Sequence, residues 1–98
     1  MRTERLLSLK LDHVEMGFMR ARVKSEDRGF NDWSLHVVSP SEPDTFVHHL
    51  TAGTPVQLVM TTRGGERMSG EVYVANVSEG REAATVVDLT GVGALRIG

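Results

Sequence analysis

The amino-acid sequence predicts a small, mainly β domain: an antiparallel β-sandwich or partly open barrel of six to seven strands with one short helix. Three observations lead there. Short runs with period-two alternation of apolar and polar residues recur along the chain. Clusters of Gly, Pro, Ser and Asp separate them at short intervals. One segment alone, 44–52, has the apolar spacing of a helix. The length of 98 residues fits a single domain spanning 1–98.

Taken in order, residues 6–24 read as a hairpin. Leu7, Leu9 and Leu11 alternate with Ser8, Lys10 and Asp12. A turn over Glu15, Met16 and Gly17 pairs Val14 with Phe18, His13 with Met19, Leu11 with Ala21 and Leu9 with Val23. The other face then sets Asp12 opposite Arg20 and Lys10 opposite Arg22. Residues 25–32 are polar and read as a loop. Trp33, Leu35 and Val37 alternate with Ser34 and His36, giving a strand through about Ser39. The breaker cluster 39–43 follows. Residues 44–52 form the helix, with Ser41 or Asp44 as N-cap, Phe46 and Leu50 on one face, and Gly53 as its stop.

Residues 55–77 are the most informative stretch. Two apolar-rich runs flank Arg63-Gly64-Gly65-Glu66. A three-residue loop over Gly64–Glu66 pairs Met60 with Gly70, Leu58 with Val72 and Val56 with Val74. That register gathers apolar residues on one face and Gln57, Thr61, Ser69 and Glu71 on the other. A two-residue turn sets Met60 against Ser69 and mixes the faces. A turn at 78–81 leads to a strand over 84–89, whose near-continuous apolar character suggests burial on both sides, or an edge against a partner. Gly91 and Gly93 then interrupt the chain before a last run, 94–97.

The totals limit the function. Apolar residues make up 40%, aromatics 5%, and eleven basic against thirteen acidic side chains leave a net charge of −2. A nucleic-acid binder usually carries a strong basic excess, so no strong nucleic-acid signal is present. The chain has no cysteine, which excludes disulfides and thiolate metal sites. No apolar run approaches the ~18 residues of a membrane span, and no signal-peptide pattern opens the sequence. The expected location is cytoplasmic, or the virion if the origin is a phage.

No catalytic constellation, metal site or cofactor is expected. His48 and His49 are adjacent and point about 100° apart on a helix, and no carboxylate completes a site with His13 and His36. No G-x-S-x-G elbow is present. Gly64-Gly65 lacks the context of a phosphate loop, and Gly91-Val92-Gly93 comes too late to open a dinucleotide-binding unit. Two other groupings stand out. Arg28, Phe30 and Trp33 are residue types that anchor protein interfaces; alternatively Phe30 and Trp33 close one end of the core. Arg20 and Arg22 share a strand face, with Arg28 in the nearby loop, and paired arginines grip phosphate.

Two family resemblances bear on these residues. Asp88-Leu89-Thr90-Gly91-Val92-Gly93 is similar to the D-x-S-x-x-G motif of PilZ-type cyclic-dinucleotide receptors, with Thr in place of Ser. It stands at the end of the chain, where no barrel follows it, whereas the receptors carry their barrel after the motif. Residues 68–95 resemble the C-terminal part of phage tail-tube and related prophage tail proteins. Gly70, Glu71, Tyr73, Gly91, Gly93 and Leu95 sit at the matching positions. This second resemblance implies a β-sandwich with a flanking helix that joins sheets edge to edge into rings.

The expected function is therefore a non-enzymatic structural or assembly protein, working through strand edges and loops and self-associating or meeting other proteins. The alternative is a small ligand-binding barrel gripping a phosphate-bearing nucleotide through Arg20 and Arg22.

Overall fold

The computed structural model describes residues 2–26, 32–80 and 84–97. The chain is mainly β, with strands β1 (Arg2–Leu11), β2 (Val14–Glu15), β3 (Arg20–Ser25), β4 (Trp33–Val38), β5 (Val56–Thr62), β6 (Arg67–Glu79) and β7 (Thr85–Ile97), and one helix, α1 (Pro43–Ala52). All neighbours are antiparallel. The order β2-β1-β3-β4-β7-β6-β5 is closed by a further pairing of β1 with β5. Six strands thus form a closed barrel, and β2 is an added strand outside it. The barrel, expected to be partly open, is closed.

Closure depends on β1 serving two neighbours in succession. Arg2 to Arg5 pair with Ser25 to Arg22 on β3. Leu6 to Leu11 pair with Thr62 to Leu58 on β5, with a register shift between Leu6 and Ser8. The shift reverses sidedness at Leu7. Leu6, Leu9 and Leu11 are buried, while Leu7, expected inside with Leu9 and Leu11, is 67% exposed. An extra residue in one strand turns its side chain out of the alternation.

The expected hairpin over 6–24 is replaced by a tighter one. Asp12 and His13 both take positive φ, 47° and 72°, and make a two-residue turn that pairs Leu11 with Val14 and Lys10 with Glu15. Both central residues in the left-handed region is the signature of the hairpin turn that matches strand twist. Asp12 is tied across the barrel: its N–H donates to the Gln57 carbonyl (2.9 Å) and its Oδ1 accepts the Gln57 N–H (3.0 Å). This long-range anchoring has no local sequence signal. The pairs expected from a turn at Glu15–Gly17 do not form. Arg22 faces Arg5 rather than Lys10, and Arg20 faces Val38.

The central hairpin keeps its predicted faces but not its predicted register. Val56 pairs with Val72, Leu58 with Gly70 and Met60 with Met68. The loop has the expected three residues, Arg63 to Gly65, one position earlier. Gly65 takes φ 87°, its N–H donates to the Thr62 carbonyl, and the Thr62 hydroxyl accepts the Glu66 N–H. Thr62 thereby closes the loop and displaces Gly64 as its first residue. The register moves by two, so sidedness survives: Val56, Leu58, Met60, Met68 and Val72 are buried, and outside them Gln57 Nε2 donates to Glu71 Oε2 (2.7 Å).

Strand β7 runs unbroken through Gly91 and Gly93, and β6 runs through Ser78 and Glu79, where a turn was expected. Two register shifts between these strands absorb the irregularity. β7 alternates buried Val87 and Leu89 with half-buried Val86 and Asp88, as a barrel strand must, rather than being covered on both faces. In α1 the N-cap is Glu42 with Pro43 at the first turn. Ser41 accepts the Gly17 N–H instead of capping the helix. Gly53 ends the helix in the left-handed conformation (φ 66°) and donates to the His49 carbonyl. Phe46 is fully buried, and Leu50 is partly exposed.

Trp33 is the largest packing commitment. It is 3% exposed, and its Nε1–H donates to the Gly93 carbonyl (3.1 Å). A Cβ added at Gly91 collides with Trp33 Cε2, and one at Gly70 falls 2.5 Å from Cζ2. Both glycines are open floor for the indole. Of the two roles expected for Trp33, interface anchor or core closure, its burial fits the second: the side chain belongs to the core. Arg28 and Phe30 lie outside the described residues.

Candidate functional site

The outward face of β3 carries Arg20, Arg22 and Lys24, because Ala21, Val23 and Ser25 take the inward positions. Barrel pairing extends this face into a row. Arg5 on β1 lies opposite Arg22, Arg22 opposite His36 on β4, His36 opposite Asp88 on β7, and Asp88 opposite Asn76 on β6. One row further along stand Lys24, Ser34 and Thr90.

A depression opens where β1 leaves β3. Arg20 and Ala21 pair with β4, while the β1–β3 ladder stops at Arg5 and Arg22. The seam forms a concavity of ≈ 440 Å³ lined by Arg5, Met19, Arg20, Arg22, His36 and Arg63, among others. Arg63 comes from the β5–β6 loop, held there by its N–H donating to the Arg5 carbonyl (2.9 Å). A second concavity of ≈ 220 Å³ adjoins the first. The two share Arg22 and His36, and the second adds Lys24, Ser34, Asp88 and Thr90.

The electrostatics are one-sided. Five of the eleven basic side chains of a chain with net charge −2 stand around these depressions. Among the described residues, no carboxylate lies within 4 Å of Arg5, Arg20, Arg22 or Arg63. Arg5 and Arg22 face each other directly across the ladder, a destabilising like-charge arrangement. Arginines from β1, β3 and the β5–β6 loop line the larger concavity, and the planar fork of a guanidinium suits a phosphate or carboxylate.

His36 contributes differently. Its Nδ1 lies 2.6 Å from Asp88 Oδ1. Ionised carboxylates only accept, so the hydrogen of this contact sits on Nδ1. The pair occupies the boundary between the two concavities.

The residues singled out from sequence meet different fates. Arg20 and Arg22 do share a face, and the structure adds Arg5 and Arg63, which local pattern could not have joined to them. Asp88 and Thr90, noted for a separate motif, come to the same face through β7. His13 lies in the β1–β2 turn and does not join His36 in the outward row. Gly70, Gly91, Gly93 and Leu95, which carried the tail-protein resemblance, all have roles inside this chain: the glycines accommodate or bond Trp33, and Leu95 is buried.

No protein-family model matches the chain, and no curated protein matches it. Among solved structures, the chain is similar to a hypothetical protein from Staphylococcus aureus. The TM-score is 0.74, with 94% of this chain and 69% of that one covered, at 12% identity. Identity at that level speaks for a shared fold alone.

Proposed function

We propose that this barrel is a non-enzymatic binding module that takes a phosphate-bearing ligand, with a nucleotide as the leading case, on the face formed by Arg5, Arg20, Arg22 and Arg63. One observation carries the reading: four arginines from three separate elements line one concavity, and no described carboxylate lies within 4 Å of them. Their mutual repulsion is a standing expense that a bound dianion removes. The joining of Arg20 and Arg22 with Asp88 and Thr90 on one surface supports the nucleotide-binding alternative raised by the sequence. The route through free strand edges is supported less, because barrel closure pairs the edges it was to use.

Calorimetric titration with pyrophosphate, nucleoside mono- and diphosphates and a cyclic dinucleotide tests the reading. At least one should bind and raise the melting temperature by mass action. Absence of binding across the series, at an ionic strength low enough to leave surface charges unscreened, rejects it.

A second reading, assembly through apolar contact, draws support from Leu7 and Met19, each 67% exposed. Exposed apolar patches mark contact surfaces. Light scattering separates the two: rings or large oligomers support assembly, and a monomer removes that support.

A further inference from the structure

We infer that His36 reads a hydroxyl beside the phosphate. The ligand is then a phosphate ester of a ribose or another polyol, with the phosphate in the larger concavity and the hydroxylated part in the smaller one, donating to His36 Nε2. The inference rests on the reading of the arginine face as a phosphate site.

The argument is one of donors and acceptors. Arg5, Arg20, Arg22 and Arg63 can only donate. A fully ionised phosphate only accepts, so it satisfies these groups and nothing else. With its hydrogen committed to Asp88 through Nδ1, a neutral His36 presents a bare lone pair at Nε2. The larger site thus contains a field of donors and one oriented acceptor at its margin. A phosphate ion by itself offers that acceptor no hydrogen. A hydroxyl carried on the same ligand does.

The position of His36 fits this role. It lines both concavities, as does Arg22. Beyond it, the smaller depression presents the hydroxyls of Ser34 and Thr90, the ammonium of Lys24 and the carboxylate of Asp88. That mixture of donors and acceptors is the complement of a sugar rather than of a second phosphate. Asp88 acts here as a positioning residue, because it decides which imidazole nitrogen carries the hydrogen.

The test compares ADP with its 2′,3′-dideoxy analogue, and both with pyrophosphate, by calorimetry at about pH 8, where an ordinary imidazole is neutral. The wild-type protein should prefer ADP over the analogue by about tenfold, the magnitude of one oriented hydrogen bond. His36→Leu should bring the two nucleotides to equal affinity. Arg22→Ala should weaken both in the same proportion. Equal affinities in the wild-type protein, or a preference that survives His36→Leu, overturn the inference. If pyrophosphate binds and neither nucleotide does, this inference falls and the phosphate reading stands. If nothing binds, both fall.

Imidazole nitrogen-15 shifts give a readout independent of affinity. Nδ1 should carry the hydrogen and Nε2 should have the shift of a bare ring nitrogen. Asp88→Asn should mix the tautomers and narrow the nucleotide preference without unfolding the barrel. The opposite tautomer in the wild-type protein overturns the assignment.

Discussion

Arg2 and Arg5 stand three residues apart on one strand and end in opposite circumstances. Arg2 shares the inward alternation of Leu6 and lies at the barrel mouth. Its Nε meets Glu4 Oε1 at 3.1 Å and its Nη2 meets Glu66 Oε1 at 2.6 Å. The Glu4 hydrogen bond, followed by the charge of Glu66, raises its pKa above the ordinary arginine value. Arg5 takes the outward alternation and faces Arg22, with no described carboxylate beside it. Among the described residues two carboxylates meet Arg2 and none meets Arg5, which sets a charge engaged in the fold apart from one on the proposed ligand face. The same division runs around the barrel: inward positions build the core, and outward positions along one seam carry the proposed ligand face.

Substitutions test that division in descending order of effect. Leu58→Asp places an unpaired charge among fully buried neighbours and should abolish cooperative unfolding in circular dichroism, since burying such a charge exceeds the stability of a domain this size. Gly91→Ala drives a methyl group into Trp33 and should destabilise by about 1–3 kcal/mol, read from denaturant midpoints. A wild-type midpoint there removes the account of Trp33 packing.

The outward positions should behave otherwise. Arg20→Ala with Arg22→Ala should leave the melting temperature unchanged or higher, since like charges are relieved, while affinity for pyrophosphate falls by about tenfold or more. Loss of stability without loss of affinity reverses the division. Glu66→Gln should leave the denaturant midpoint almost unchanged, because the ion pair with Arg2 is substantially exposed. Smallest of all, Gln57→Asp should shift the midpoint by a few tenths of a kcal/mol, through repulsion of Glu71 across the ladder.

Legibility from sequence followed the range of the interactions. The central hairpin was readable to its faces because period-two alternation is carried by each residue in turn. Its register slipped by two because Thr62, rather than either glycine, closes the loop. The first hairpin was misplaced because Asp12 and His13 turn without a glycine, held by contacts with Gln57 on a strand far along the chain. Helix α1 was found from Phe46 and Gly53, yet its N-cap was not, since Ser41 is engaged by Gly17. Of the candidate site, Arg20 and Arg22 were visible as alternate residues on one strand. Arg5, Arg63 and His36 join them through pairings spanning 14 to 58 positions in sequence, and nothing in composition foretells them. A net charge of −2 even argued against a basic face, because totals are blind to segregation.

Local alternation and turn chemistry were enough to specify a β-rich chain with one helix, since each depends on residues a few positions apart. Closure of the barrel, the seam beside β3 and the gathering of arginines around it came from β1 exchanging one neighbour for another halfway along its length. Such an exchange is settled by which distant edges are left to satisfy, and that is a property of the assembled sheet, not of any segment within it.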